Sequence, residues 1–152
     1  MSNDKPFSYE EYKDIYSKVP RLCVDLVIKT PEGIILSLRK LKSWYGKWHF
    51  PGGAVFYKEK VIDAVKRVAL TEVGIDVNIE EFLGYIDEYS SEEKEVGFGS
   101  TVSLVFLCSA EAVSMKPGED SLEIKIFKSL PDNMIEEHRH FLDSKREYIM
   151  RG

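Results

Sequence analysis

The sequence predicts an α/β (α+β) domain in which a mixed β-sheet lies between helices packed on both of its faces. Three observations lead there. Runs rich in aliphatic and β-branched residues alternate with stretches whose apolar positions recur every three or four residues. The chain has 152 residues, 43% of them apolar, the size of one domain able to bury a core. No repeat, low-complexity tract or linker divides it, so residues 1–152 read as a single unit with residues 1–19 as its leader.

The elements follow in order. "SYEEYKDIYSK" (8–18) has a Ser cap and a face made of Tyr9, Tyr12, Ile15 and Tyr16, the pattern of a short amphipathic helix. "RLCVDLVIKT" and "GIILSLRKL" are β-rich runs joined by the turn-forming "PEG", and predict a hairpin. "KLKSWYGKW" reads as a loop. In "WHFPGG", Pro51 pushes Phe50 into extended backbone. From Lys58 to Val73, apolar residues at 61, 62, 65, 68, 69 and 73 predict a helix stopped by Gly74. "IDVNIEEFLGYIDEYS", "STVSLVFLCSAEAV" and "LEIKIF" predict three further strands, with the charged loop "SEEKEVGFG" between the first two. The tail "NMIEEHRHFLDSKREYIM" predicts a closing helix.

Lysine and arginine total 21 against 26 acids, giving a net charge of −5. That balance argues against loose binding to nucleic acid or to an anionic membrane, while leaving room for a small anion held by local cations and backbone N–H groups. No apolar run is long enough to span a bilayer, and "MSNDKPFSYEEYKD" lacks the core of a secretory signal, so a cytoplasmic location is expected. Cys23 and Cys108 each sit within an apolar run and are expected as buried, reduced thiols.

Chemistry concentrates at "FPGGAVFYKEKVIDAVKRVALTEVGI" (50–75). Paired glycines let backbone approach a ligand closely. Counting on, Gly53 is followed after five residues by Glu59, after seven more by Arg67, and then by Ala69, Glu72, Gly74 and Ile75. This spacing resembles the box of the Nudix hydrolases, G-x5-E-x7-R-E-U-x-E-E-x-G-U with U aliphatic. Seven of its nine fixed positions are kept; Val68 and Thr71 stand where acids belong. The flanks, from about residue 20 to 150, are similar as well. On regular helical spacing, positions 68, 71 and 72 project on one face, where three acids would make an oxygen cage for a divalent cation.

The resemblance implies a Nudix-type α/β/α sandwich, and the substitution pattern "RVALTEVGI" is closest to the GDP-mannose mannosyl hydrolase-like branch. It implies a Mg²⁺ ion, or Mn²⁺ in its place, held by the Gly52 carbonyl, Glu72 and Asp120. It further implies catalysis by Glu72, Asp120 and Glu119, with Asp25, Arg39, Gly52 and Gly53 contacting substrate. Glu59 and Arg67 would brace the loop against the helix, and Gly74 would end the box. The substrate so implied is a nucleoside diphosphate joined to a sugar or similar group, and the leader helix would serve a homodimer. Two departures stand out. Ser121 occupies the place where the branch carries a histidine base, and Ala54 the place of a substrate arginine. His49, His138 and His140 read as packing or surface residues, with His49 the nearest to the cleft; Glu119, Asp120 and Glu123 are the better base candidates for attack on phosphorus. A catalytically silent Nudix domain that binds a nucleotide or a protein partner, and a conventional Nudix pyrophosphatase, are the alternatives.

Overall fold

The computed structural model describes residues 7–40, 45–87, 100–111 and 114–149. The predicted loop 91–99 lies outside them.

Helix α1 (Tyr9–Tyr16) starts at Ser8, whose side chain accepts from the Glu11 N–H while the Glu11 carboxylate accepts from the Ser8 N–H. This reciprocal capping box supports a helix that buries none of its residues. Tyr12 ties it to the body, its hydroxyl accepting a 2.7 Å hydrogen bond from Arg21.

Strands β1 (Arg21–Thr30) and β2 (Gly33–Arg39) form the expected hairpin, but pair only at Ile28–Thr30 with Gly33–Ile35. Beyond Ile35, β2 leaves β1 and pairs with β3 (Trp48–His49), and β4 (Gly52–Ala54) takes the vacated edge of β1 at Cys23–Asp25. The parting of β1 and β2 opens the sheet where the glycine loop enters. On its other edge β1 runs parallel to β6 (Thr101–Ser109), which pairs antiparallel with β5 (Asn78–Ile86); β7 (Ser121–Phe127) covers the remaining edge of β2.

Six consecutive residues of β1, Cys23–Ile28, are buried, as expected of a central strand covered on both faces. Two apolar clusters do the covering. Helix α2 (Val61–Val68) contributes Ala64, Val65 and Val68 to one, against Val24, Leu26 and Ile28. Helix α3 (Glu136–Ser144) contributes Phe141 and Leu142 to the other, against Val27, Leu36 and Phe50. The predicted sandwich is therefore present. The closing helix differs from expectation in breaking at Lys145, after which α4 (Arg146–Ile149) follows. Cys23 and Cys108 are buried free thiols. Among the described residues, no helix is long and apolar enough to cross a membrane.

Candidate functional site

The loop before α2 is held by an ion pair across the box. Arg67 Nε and Nη2 donate to the two oxygens of Glu59 at 2.8 and 3.0 Å, and Nη2 also donates to the Ala54 carbonyl at 2.7 Å. Glu59 in turn accepts from the Phe56 N–H, and the guanidinium lies 3.7 Å above the Phe56 ring. The planar fork of arginine suits this bidentate geometry. The hydrogen bonds from Arg67 hold the Glu59 carboxyl below its ordinary value. Because its folded pKa is depressed, Glu59 contributes stability above the unfolded carboxyl value of about 4.3, and loses it as pH falls through the lower folded value. Arg67→Met, which keeps the aliphatic stem but loses both the ion pair and the stack of the guanidinium on Phe56, is expected to cost about 2 kcal/mol at pH 7, less than a fully buried pair because water reaches both side chains. In urea unfolding that difference should shrink by pH 3; an unchanged difference would assign the loss to packing alone.

The second part is the glycine loop. β4 pairs with β1 so that Gly52 sits opposite Asp25, between the Leu26–Pro51 and Val24–Gly53 pairs. Leu26 donates to the Pro51 carbonyl and Val55 to that of Leu22, so Gly52 and Ala54 fall at positions that do not hydrogen-bond to β1. Their carbonyls consequently point away from β1. Ala54 uses its own to receive Arg67, which places the Gly52 carbonyl on the edge that faces the box. Only glycine fits at 52: a Cβ there would overlap Asp25 Oδ1 and lie 2.8 Å from the Val24 carbonyl.

The box helix departs from the predicted regular spiral. The α-helix stops at Val68, and Ala69–Val73 form a π-turn closed by the Gly74 N–H to Ala69, with Gly74 left-handed at φ 77°. Such a turn interrupts the regular spiral at the box, and the three positions hold a buried Val68, an exposed Thr71 and a half-buried Glu72. Val68 is buried and meets Gly53, a Cβ at which would lie 3.2 Å from its Cγ2. Thr71 turns its hydroxyl back to the Arg67 carbonyl at 3.0 Å. Glu72 remains as the box carboxylate, half-buried, beneath the late loop. That loop is seated on it by Lys116 N–H to the Val73 carbonyl and Gly118 N–H to the Glu72 carbonyl. A Cβ at Gly118 would lie 2.8 Å from the Thr71 carbonyl and 3.1 Å from Glu72 Oε2, so glycine permits this approach. Glu119 and Asp120 follow directly, and the Asp120 carbonyl is fixed by the Lys40 N–H at the end of β2.

The third part is polar and buried. His138 of α3 stacks on Phe50 (centroids 4.2 Å apart, 12° between planes), and its Nδ1 accepts the Phe50 N–H at 3.0 Å. Its Nε2 therefore carries the proton and lies 3.6 Å from Asp25 Oδ2. Burial opposes the Asp25 charge, but His138, Ser103 and His49 outweigh it and hold the carboxyl below its ordinary value. His49 donates from Nδ1 to the Phe50 carbonyl at 2.6 Å, which leaves a lone pair on Nε2; that atom is buried without a hydrogen-bond partner. Such an orphan costs about 1–3 kcal/mol. Burial, with Arg39 and His138 nearby, pushes the His49 ring down to about 3. It is neutral at physiological pH.

Residues 19–144 match the family model for the NUDIX domain. The chain belongs to the NUDIX domain family. A curated relative, the low-salt glycan biosynthesis protein Agl8 of Haloferax volcanii, is 36% identical over 124 residues, 80% of this chain and 76% of its own. Among solved structures, the NUDIX domain of Shewanella oneidensis NrtR, complexed with ADP ribose, aligns with a TM-score of 0.71 at 18% identity, covering 95% of this chain and 100% of that one. A bifunctional NMN adenylyltransferase/ADP ribose pyrophosphatase of Francisella tularensis, complexed with AMP and a Mn ion, aligns at 0.66 with 21% identity over 93% of this chain and 46% of that one. The two structures bear on the fold.

Within this NUDIX domain the predicted site residues are gathered unequally. Gly52, Gly53, Glu59 and Arg67 meet at the box, Glu72 lies under the late loop of Glu119 and Asp120, and Asp25 joins His138 and Gly52 in the interior. Asp25 is 7% exposed, engaged with the protein itself. Ser121 is buried, accepting from Ser37 at 2.7 Å and donating to the Glu123 carbonyl at 2.9 Å, so its hydroxyl is spent on the sheet. His138 escaped sequence reasoning as more than packing; a lone histidine on a helical face carries no sign of a partner 113 residues earlier. Among the described residues no three His, Cys, Asp or Glu side chains gather as a metal cage. The donor set still suits a hard cation: carboxylate and carbonyl oxygens, with a diphosphate to complete an octahedron.

Proposed function

We propose that the chain is a divalent-cation-dependent hydrolase of a nucleoside diphosphate joined to a sugar or similar group. The observation that carries this reading is the thinned box, in which Glu72 is the one carboxylate kept among positions 68, 71 and 72 and the late acidic loop is seated directly over it. A site so poor in protein ligands suits a cation that takes part of its coordination from substrate phosphates. Glu72, the Gly52 carbonyl and Asp120 would hold Mg²⁺, or Mn²⁺ in its place. When bound, the cation supplies charge neutralisation on the diphosphate.

The chain's own residues do the rest. Arg39, half-buried at the end of β2, offers paired donors to phosphate oxygens, and the backbone at Gly52 and Gly53 lets the diphosphate approach closely. Asp25 supports that backbone from below. Glu119 or Asp120 orients the attacking water by accepting its proton's hydrogen bond. The Haloferax relative, a glycan biosynthesis protein, is in keeping with a sugar-linked substrate, as is the ADP ribose of the Shewanella complex. GDP-mannose is the first candidate to try. We place the enzyme in the cytoplasm, as a homodimer that uses α1, where Tyr9 is exposed.

The spent hydroxyl of Ser121 favours a second reading of the bond cleaved, attack at phosphorus as in a conventional Nudix pyrophosphatase. Turnover of GDP-, UDP- and ADP-sugars, ADP-ribose and nucleoside triphosphates with Mg²⁺ in heavy-oxygen water tests both. Label in phosphate establishes attack at phosphorus, and label in the sugar attack at carbon. Binding of a nucleotide with no turnover of any member of the panel would make this a silent module instead.

A further inference from the structure

The Gly74 N–H closes the π-turn on the Ala69 and Leu70 carbonyls, and the carbonyls of Glu72 and Val73, which a helix end leaves without internal partners, go to the late loop. Gly118 donates to the first at 3.2 Å and Lys116 to the second at 2.8 Å. Gly118 then opens a β-turn: the Ser121 N–H returns to the Gly118 carbonyl at 3.2 Å, which puts Glu119 and Asp120 at the two central positions. The far foot of that turn stands on β2, where Ser121 pairs with Arg39, its hydroxyl meets Ser37, and the Lys40 N–H donates to the Asp120 carbonyl at 3.2 Å. The acids of the late loop are thereby strung between the box carboxylate and the strand end that bears Arg39.

The near foot admits no side chain. A Cβ at Gly118 would lie 2.8 Å from the Thr71 carbonyl, 3.1 Å from Glu72 Oε2 and 3.2 Å from Glu72 Cα. The shortest of these contacts is with backbone, which cannot swing aside as the end of a side chain can, so a larger residue lifts the turn away from Glu72. We propose that Gly118 is a positioning residue for the cation: by resting the turn on the box helix through main chain alone, it fixes how far Asp120 stands from Glu72. The inference rests on the proposed metal set of Glu72, the Gly52 carbonyl and Asp120, and deepens it by naming what holds two of the three in register. It also gives Ser121 a part to play other than that of a base, as the second foot of the turn.

Gly118→Ala tests this, because Gly118 is not among the glycines with left-handed backbone and alanine there meets the steric contact alone. Mn²⁺ binding to the full chain, measured by calorimetry, should weaken by on the order of tenfold, as when a partner behind a metal ligand is lost. The Mg²⁺ concentration for half-maximal turnover should rise in step, with kcat recovered at saturating Mg²⁺. In the Glu72→Gln background the same change should weaken Mn²⁺ binding by less than about twofold, since both act on one site. Lys116→Ala, which keeps the backbone donor, should bind Mn²⁺ as wild type does. Unchanged Mn²⁺ affinity in Gly118→Ala, or full additivity with Glu72→Gln, would overturn the proposal, as would a wild type that binds no Mn²⁺ with or without GDP. If Gly118→Ala does not fold, hydrogen exchange of wild type decides: Mg²⁺ at ten times its Kd should slow exchange of the Gly118 amide by about tenfold, and a rate indifferent to Mg²⁺ sinks the assignment. A wild type that binds Mn²⁺ but hydrolyses no nucleoside diphosphate sugar is a failure of the substrate reading alone.

Discussion

Glu72→Gln is expected to lower turnover by on the order of 10²–10³-fold, the loss typical of removing one electrostatic stabiliser from an active site. Unfolding in urea should move by less than about 0.5 kcal/mol, since the amide keeps the shape of a half-buried side chain. Elimination at the box leaves Glu72. Val68 is buried against Gly53 and has no polar atom; Thr71 has one, turned back onto its own helix. No second helix carboxylate shares the load, so loss of one charge removes the helix's whole contribution. Thr71→Ala serves as the control and should leave turnover within about twofold, as expected of a surface change away from the chemistry. Glu72→Gln with wild-type turnover, measured across the Mg²⁺ concentration range, would remove the carboxylate from the mechanism.

The same elimination shows where sequence was a sufficient guide and where it was not. The hairpin, the buried run of β1 and the two helical faces are encoded locally, by alternation and by three- and four-residue spacing, and each element formed where its pattern lies. The spacing from Gly53 to Glu59 to Arg67 was equally legible, because a bidentate pair closing one loop leaves its mark within 15 residues. The π-turn was not. Nothing in "ALTEV" departs from ordinary helix formers; the extra residue is accommodated where the left-handed Gly74 and the late loop cap the turn, a tertiary effect. The fate of Ser121 was hidden for the same reason, since its partner Ser37 comes from a strand 84 residues away. Asp25 shows the limit from the other side: its position in the sequence was informative, but its burial beneath Gly52 and its partner on α3 arise only when the chain closes.

That closure makes His138 the side chain whose loss should cost the most stability. His138→Leu removes the group facing Asp25 and the acceptor of the Phe50 N–H in one step. Taking one polar partner from a buried carboxylate costs about 1–3 kcal/mol, and the orphaned amide adds to it. Asp25 keeps Ser103 beside it but, at 7% exposed, gains little from water. If the loss comes from the carboxylate that His138 faces, then Asp25→Asn in the His138→Leu background should restore part of it, although the same change alone destabilises the wild type. This sign reversal is the decisive readout of a double-mutant cycle in urea. Additive losses would instead assign the role of His138 to its stack on Phe50. The acid side gives an independent check. The Asp25 carboxyl is held below its ordinary value, so its contribution is present above the unfolded carboxyl value of about 3.9 and is lost as pH falls through the lower folded one. The gap between wild type and His138→Leu should therefore close on acidification, as the carboxylate that the histidine faces becomes neutral in both proteins. Because Phe50 leads into Pro51 and Gly52, loosening this latch should also reach the carbonyl proposed as a metal ligand, raising the Mg²⁺ concentration needed for half-maximal activity in a protein that still folds.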